Sequence, residues 1–292
     1  MNNSVRDNIS NYVFIFPAIT MFCIFSIYPF FKVFHLSLFE WRPPLQPVFV
    51  AFRNFADIFG DAVWWKSMLQ AGYITILSLV IQNILALLLA LAIARRIRCG
   101  NLYSVIFFIP PVLAGIVVGL IWKWIYNPNY GLLNHFLSLI GLENCQNAWL
   151  DNPNTALTCV AIIHMWKGFG WGFVILLAGL QIIPEELYEA ARIDGASVWH
   201  RFRHITAPLM VPVFFLVSIL TILGTMQIFD IIFSTTRGGP AYHTEVPITR
   251  ILFSMQSSNY GYACTQGAIF GVILFVLSMV QLRISKQKGA GI

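Results

Sequence analysis

Glu189-Ala190-Ala191-Arg192-Ile193-Asp194-Gly195, followed after nine intervening residues by Ile205 and then Pro208, forms a charged island between two long apolar segments. A stretch this polar in so apolar a chain belongs in water, where another molecule can read it. Its local signals are orderly. Pro184 followed by Glu185 and Glu186 is a helix start, with acids near the positive end of the macrodipole. Leu187, Ala190, Ala191 and Asp194 then recur at i, i+3, i+4 and i+7. The two alanines thin that face so that another backbone can approach closely. Glu189 and Arg192, three apart, are placed to pair on the helix surface. Gly195 stops the helix in a left-handed conformation. Ser197 caps a second short helix expected to run to about His204 and to end before Pro208. The expected result is a helix–bend–helix knob over 184–208.

The surrounding composition fixes the solvent. Of 292 residues, 58% are hydrophobic and 10% charged, where soluble domains carry roughly 25% charged residues. Apolar runs near twenty residues, separated by Gly, Pro and charges rather than by alternation, indicate membrane helices and not a barrel. Cys23, Cys99, Cys145, Cys159 and Cys264 make no C-x-x-C pair, so neither a zinc site nor a disulfide framework is expected. The formal charge of +6 reflects loop arginines and lysines that orient helices, not nucleic-acid binding.

Six spans are expected: Asn11–Phe39, Ser67–Ala94, Leu102–Tyr126, Ala156–Leu180, Ala207–Phe233 and Cys264–Ile284. Each is long enough for a ~30 Å hydrocarbon core. The first is too long for the apolar region of a cleaved signal and should remain as a span. One transmembrane domain over 1–292 is the economical reading, with core spans over 67–284. Basic residues set the orientation. With the N-terminus inside, inner segments hold Arg6, Arg95, Arg96, Arg98, Arg192, Arg201, Arg203, Arg283, Lys286 and Lys288. Outer loops hold Arg42, Arg53, Arg237 and Arg250. The bias places both termini in the cytoplasm. The connection 127–155 has no Lys or Arg and reads as a small outer cap, with Trp122, Trp124, Tyr126 and Tyr130 as an interfacial aromatic belt.

The spacing E-A-A-x-x-x-G-x9-I-x-x-P resembles the EAA loop of bacterial ABC-importer permeases. The resemblance extends to Trp122-x-Trp124-x-Tyr126-Asn127-Pro128-x-Tyr130-Gly131-Leu132-Leu133-Asn134, to Trp149-Leu150, to Gly179-Leu180-Gln181-Ile182-Ile183-Pro184, and to Phe229-Asp230 with Gly238-Gly239-Pro240. Together these are similar to the carbohydrate-uptake branch, on the side of the first permease of maltose, lactose and glycerol-3-phosphate systems. One departure is visible: the family's Ile-x-Leu-Pro is Ile205-Thr206-Ala207-Pro208 here. The resemblance implies an all-α membrane protein of the type I importer fold, in a bacterial or archaeal plasma membrane. It also implies a second permease, two ABC ATPase subunits and an extracytoplasmic solute-binding protein as partners, with membrane lipid around it. Glu189, Ala190, Ala191, Asp194, Gly195, Ile205 and Pro208 would couple it to the ATPase. The chain has no G-x-x-x-x-G-K-[ST] loop. Hydrolysis would therefore fall to the ATPase subunits, and this chain would be neither an enzyme nor a cofactor carrier.

Polar residues inside spans face protein or water. On the fourth span His164, Lys167, Gly168 and Trp171 share one face, and on the fifth Thr221, Thr225 and Ile228 form a second stripe. An aromatic platform beside a gap and hydroxyl partners suits a sugar ring. The resemblance implies that these positions line the sugar site. Helix packing is the competing explanation, since Gly and Thr are common between membrane helices. Lys167 would suit an anionic cargo, but the resembling neutral-sugar permeases carry a basic residue there too, so it does not select one; within the family, glycerol-3-phosphate or an acidic oligosaccharide is the alternative cargo. Asp230 could equally fix the Gly238-Gly239-Pro240 loop or touch cargo. Two readings of another class are an ion-coupled secondary carrier and a membrane enzyme using His164 and Asp230. The first leaves the EAA-type loop unexplained, and the second lacks a nucleophile.

Overall fold

The computed structural model describes residues 14–94 and 99–289. Arg6, Arg95, Arg96 and Arg98, and the start of the first expected span, lie outside the described residues, as do the side chains of Lys286 and Lys288. Among the described residues, five helices are long and apolar enough to cross a membrane: α1 (Phe14–Leu36), α3 (Ala62–Ala94), α7 (Ala156–Ile182), the span Val211–Thr235 and the first part of α13 (Tyr260–Gly289). A pair of helices, α4 (Gly100–Val112) and α5 (Gly115–Ile125), makes a sixth when the two are taken as one broken span. Between them come α2 (Arg53–Phe59), α6 (Leu132–Leu139), α8 (Glu185–Ile193), a helical run α9 over 198–209, α10 (Val211–Met226), α11 (Asp230–Thr235) and α12 (Pro247–Gln256). The spans differ from the expected ones at their ends: the first stops at Leu36 and the second starts at Ala62.

The third span is not one rod. α4 and α5 meet at 95°, with Leu113 and Ala114 both in extended conformation. The cause is local. Pro110 and Pro111 close α4 without N–H groups, so the helix loses the donors that would continue its ladder. Hydropathy runs unbroken through the bend, which is why a single span was expected. The fifth span is also interrupted, at 227–229, between α10 and α11.

The chain divides into two units. One comprises residues 1–62 and 251–272. Within it, β1 (Phe39–Glu40) pairs antiparallel with β2 (Val48–Phe49). Asn54 on α2 donates to the carbonyls of Ser37 and Phe39, both at 2.9 Å. The Thr265 hydroxyl of α13 reaches the same Ser37 carbonyl at 3.2 Å, and Tyr262 donates to Asp61 at 2.8 Å. These bonds tie the hairpin to the start of α13. The apolar side chains of α1 are exposed from Phe14 to Phe31, while Val33, Phe34 and Leu36 are half-buried.

The other unit comprises 63–250 and 273–292. Its core is Ala86 and Ala90 of α3, Phe173, Leu176 and Leu180 of α7, and Met210 and Val217 around the start of α10. Small residues set the close approaches, as expected where dispersion rather than hydrophobic force joins helices. Gly172 lets Val217 and Ala86 pack at its surface. Gly115 and Gly119 of α5 form a G-x-x-x-G face that receives Asp230 and Ser234 of α11. Gly170 of α7 faces the carbonyl of Phe107 on α4. That carbonyl's helical donor would have been the N–H that Pro111 lacks. The ring edges of Phe107 on Phe169 and Phe173, at 6.1 and 5.5 Å, complete the α4–α7 contact.

Candidate functional site

The knob over 184–208 is built much as its residues dictate. Pro184 precedes α8, with Glu185 and Glu186 in the first turn. Gly195 has φ +75°. Its N–H bonds to Arg192 O at 3.1 Å, and the N–H of Ala196 reaches Ala191 O at 2.8 Å. This is a Schellman stop, with Asp194 as the C-cap residue. Ser197 accepts from the His200 N–H at 3.2 Å and starts α9. Arg192 pairs with Glu189 at 3.8 Å, but both side chains are more than half exposed, so the pair contributes little.

One expectation for the knob fails. The second helix does not end near His204. It continues through a π-helical turn, Phe202–Thr206, into Ala207–Leu209, so Pro208 lies within the helical run. The widened turn shifts the hydrogen-bond register and makes room for a ring that an α-helix interior would reject. Tyr188 ties the two arms together through its hydroxyl, 2.8 Å from the Thr206 hydroxyl. Glu189 and Ala190 are exposed, while Ala191, Ile205 and Pro208 are half-buried. Large apolar side chains stand in solvent on the same knob: Ile193 is 86% exposed and Trp199 66%. A chain does not gain by exposing these to water; such surfaces mark contacts with protein or membrane.

The second feature is a cavity of about 690 Å³, within the usual range for small-molecule sites. His164, Lys167, Gly168, Trp171, Thr221, Thr225 and Ile228 all line it. α7 and α10 thus present their two polar stripes to one space. His164 Nε2 lies 3.2 Å from the Thr225 hydroxyl. Thr221 donates to Asn83 Oδ1 at 3.1 Å and to its own helix at Val217 O. Trp171 is 54% exposed and meets Phe108 edge-on, 5.1 Å between centroids. More than half of the Trp171 surface is therefore open. Asp230 also lines the cavity, at the first turn of α11 against Gly115.

Two details were not foreseen. Lys167 donates to Pro111 O at 3.3 Å. That carbonyl is one of the last in α4, where the bend removes its partner. A cation there also suits the negative end of the helix. The second is Gln82, which lines the cavity and lies against Gly168. A Cβ on Gly168 would sit 2.9 Å from Gln82 Oε1. The space over that glycine therefore holds the Gln82 amide. Gln82 closes a π-helical turn, Ser78–Gln82, within an otherwise apolar stretch of α3. The signal was the polar trio Ser78, Gln82 and Asn83 inside a span, which the stripes on the two other helices overshadowed.

The aromatic belt needs correction. Tyr126 is only 4% exposed. It packs on Trp122 at 5.3 Å and on Trp149 at 6.5 Å, and Trp122 contacts Trp166 at 5.7 Å. These rings bind the connection 127–155 to the helices. Trp124 and Tyr130 remain exposed, as belt residues are. Asn134 is the centre of that connection. It donates to Pro128 O and Asn147 O and accepts from Trp149 Nε1 at 2.7 Å.

Apolar spans around a mostly apolar cavity with a few convergent polar groups describe a multi-pass membrane permease. The chain belongs to the family of binding-protein-dependent transport system inner membrane components, whose pattern matches residues 82–288. It is 31% identical over 285 residues to a probable ABC transporter permease protein of Bacillus subtilis, covering 96% of this chain and 97% of that one. It is 32% identical over 284 residues to the trehalose/maltose transport system permease protein of Thermococcus litoralis, covering 96% and 95%. The fold is that of a bacterial ABC transporter described as importing the acidic polysaccharide alginate, with TM-score 0.85 and 22% identity over 97% of each chain. The chain is thus a permease subunit of a binding-protein-dependent importer, and the ion-coupled carrier is not favoured.

Proposed function

We propose that this permease passes a sugar or sugar derivative through the cavity between α7 and α10 by alternating access. The observation that carries the reading is the shared wall: a half-exposed indole at Trp171 beside hydroxyl and imidazole groups at Thr221, Thr225 and His164. Sugars present apolar C–H faces and hydroxyl edges, and this wall offers a partner for each. The trehalose/maltose relative supports that cargo class. Lys167 already has the Pro111 carbonyl as an acceptor, so it does not require an anionic cargo.

In this reading, the knob engages a separate ATPase through Glu189, Ala190, Ala191, Asp194 and Gly195, with Ile205 and Pro208 holding the second arm. A second permease, two ATPase copies and a solute-binding protein complete the importer, and ATP hydrolysis belongs to the ATPase subunits. Both termini lie in the cytoplasm, which the excess of arginine and lysine on that side supports. The whole chain serves as one permease domain.

The test is aqueous thiol labelling in the assembled importer, in a background lacking native cysteines. His164→Cys, Gly168→Cys and Trp171→Cys should each react, and sugar with binding protein should change the rates. Three inert, lipid-like positions would leave helix packing as the whole role of this face.

A further inference from the structure

Gln82 is a cavity residue whose chemistry neither the path nor the packing absorbs. Its side chain is more than nine-tenths buried, at 6% relative exposure. Among the described residues, Oε1 has no hydrogen-bond partner. Its neighbour there is Gly168, which brings no side chain and lies within α7. A buried amide oxygen without a donor is destabilising, and apolar spans usually exclude it. Packing alone would be served as well by Leu or Met.

The local backbone is also unusual. The turn Ser78–Gln82 is π-helical, a widened geometry that recurs at functional sites because it re-aims a side chain. Here it carries Gln82 to the wall shared with Trp171 and Thr221. The terminal bond of glutamine is a soft, broad torsion. Rotation about it offers the cavity either a carbonyl or an NH₂. A sugar hydroxyl is both donor and acceptor, so one hydroxyl can satisfy whichever atom faces it.

We propose that Gln82 contacts the cargo directly, pairing its amide with one hydroxyl and making transport depend on that hydroxyl. This rests on the sugar-path reading above. A site that hydrogen-bonds a hydroxyl rejects the analogue lacking it, because its own polar atom is then stranded. Gln82 is in this sense a specificity residue on α3, a third helix beside the two stripes.

The experiment uses the complete importer in proteoliposomes. Radiolabelled maltose, trehalose and lactose are offered first, and the best-moved sugar is then compared with each of its monodeoxy analogues. For each analogue the uptake rate is divided by that of the parent sugar, in wild type and in Gln82→Met. The binding protein is the same in both, so its own preference cancels. The expected result is one analogue that wild type discriminates against at least tenfold more strongly than Gln82→Met does. Gln82→Glu, which keeps an acceptor, should retain discrimination against the same analogue. If Gln82→Met does not assemble, Gln82→Asn, which withdraws the amide by one methylene, is read in the same way. Ratios within twofold of wild type for every analogue would overturn the contact while leaving sugar transport standing. An assembled wild type that moves none of the three sugars would instead overturn the path reading, and this contact with it.

Discussion

Gly168→Ala and Gly170→Ala add the same methyl group to the same helix, two residues apart, and should have opposite consequences. At Gly170 the new Cβ would lie 2.6 Å from Pro111 Cγ and 3.0 Å from Pro111 Cδ, and against the carbonyl oxygen of Phe107. Comfortable carbon contacts need about 3.5–4.0 Å. The obstacle is a proline ring and backbone, neither of which can rotate aside, so α4 must move off α7 by about 1 Å. Overpacking of this kind costs roughly 1–3 kcal/mol. The better helix propensity of alanine returns about 1 kcal/mol of that. At Gly168 the nearest atoms are Gln82 Oε1 at 2.9 Å and Nε2 at 3.1 Å. These form the end of a flexible side chain and swing away at little cost, so the propensity gain survives. Gly168→Ala should therefore match or exceed wild-type stability while disturbing transport, whereas Gly170→Ala should lower stability first. The assay is thermal denaturation of the assembled importer in detergent, followed by fluorescence-detected size exclusion, with uptake measured in parallel. Equal midpoints for the two variants, or a lower one for Gly168→Ala, would refute the reasoning about hard and soft neighbours.

Other outcomes follow from single bonds. Lys167→Met strands the Pro111 carbonyl at the bend, a loss of about 1–3 kcal/mol; the thermal midpoint should fall, and Lys167→Arg should restore it. An unchanged midpoint in Lys167→Met would show that the bend holds without the cation. Tyr188→Phe removes the 2.8 Å bond to Thr206, worth about 0.5–1.5 kcal/mol. Uptake per ATP hydrolysed should drop while assembly persists, and a constant ratio would rule out a role for this bond in coupling.

Much of the architecture was legible because a bilayer imposes one rule. Every backbone polar group must be satisfied internally, so a long apolar run is a helix. The knob was legible for a different reason: caps are local. Pro184, Gly195 and Ser197 each act on neighbours within a few residues, and each does so here. The polar stripes could be assigned because periodicity places residues on a face, and the cavity gathers both faces. The bend at Leu113–Ala114 was not legible. Pro110 and Pro111 announced a weakness, but a membrane helix often carries proline without breaking, and only tertiary contacts such as that of Lys167 decide which happens. Tyr126 was misread because an aromatic residue at a span end can face lipid or pack inward, and its partners Trp122 and Trp149 lie in different segments. Gln82 was passed over for a related reason: its environment depends on Gly168, eighty-six positions later in the chain.

The joint between the knob and the cavity has a mechanical consequence. Pro208 and Pro212 stand four residues apart on either side of Met210 and bring no N–H to the ladder. Pro208 leaves a rung missing inside the helical run, while Pro212 sits in the first turn of α10, where an N–H has no intrahelical partner, and both follow a turn that is already widened. Met210 itself is fully buried in the core with Leu176 and Leu180. The chain is thus compliant where it is also pinned, which is the construction of a pivot. Beyond the pivot, α10 regains its full ladder and runs roughly 16 Å from Met210 to Thr221 at 1.5 Å per residue. A rotation of about 10° at the pivot displaces the Thr221 hydroxyl by about 3 Å, the length of one hydrogen bond. Stiffness in α10 and softness at 208–212 together set the gearing, and a variant that rigidified the soft segment would lock α9 and α10 into one body, removing the rotation at the joint.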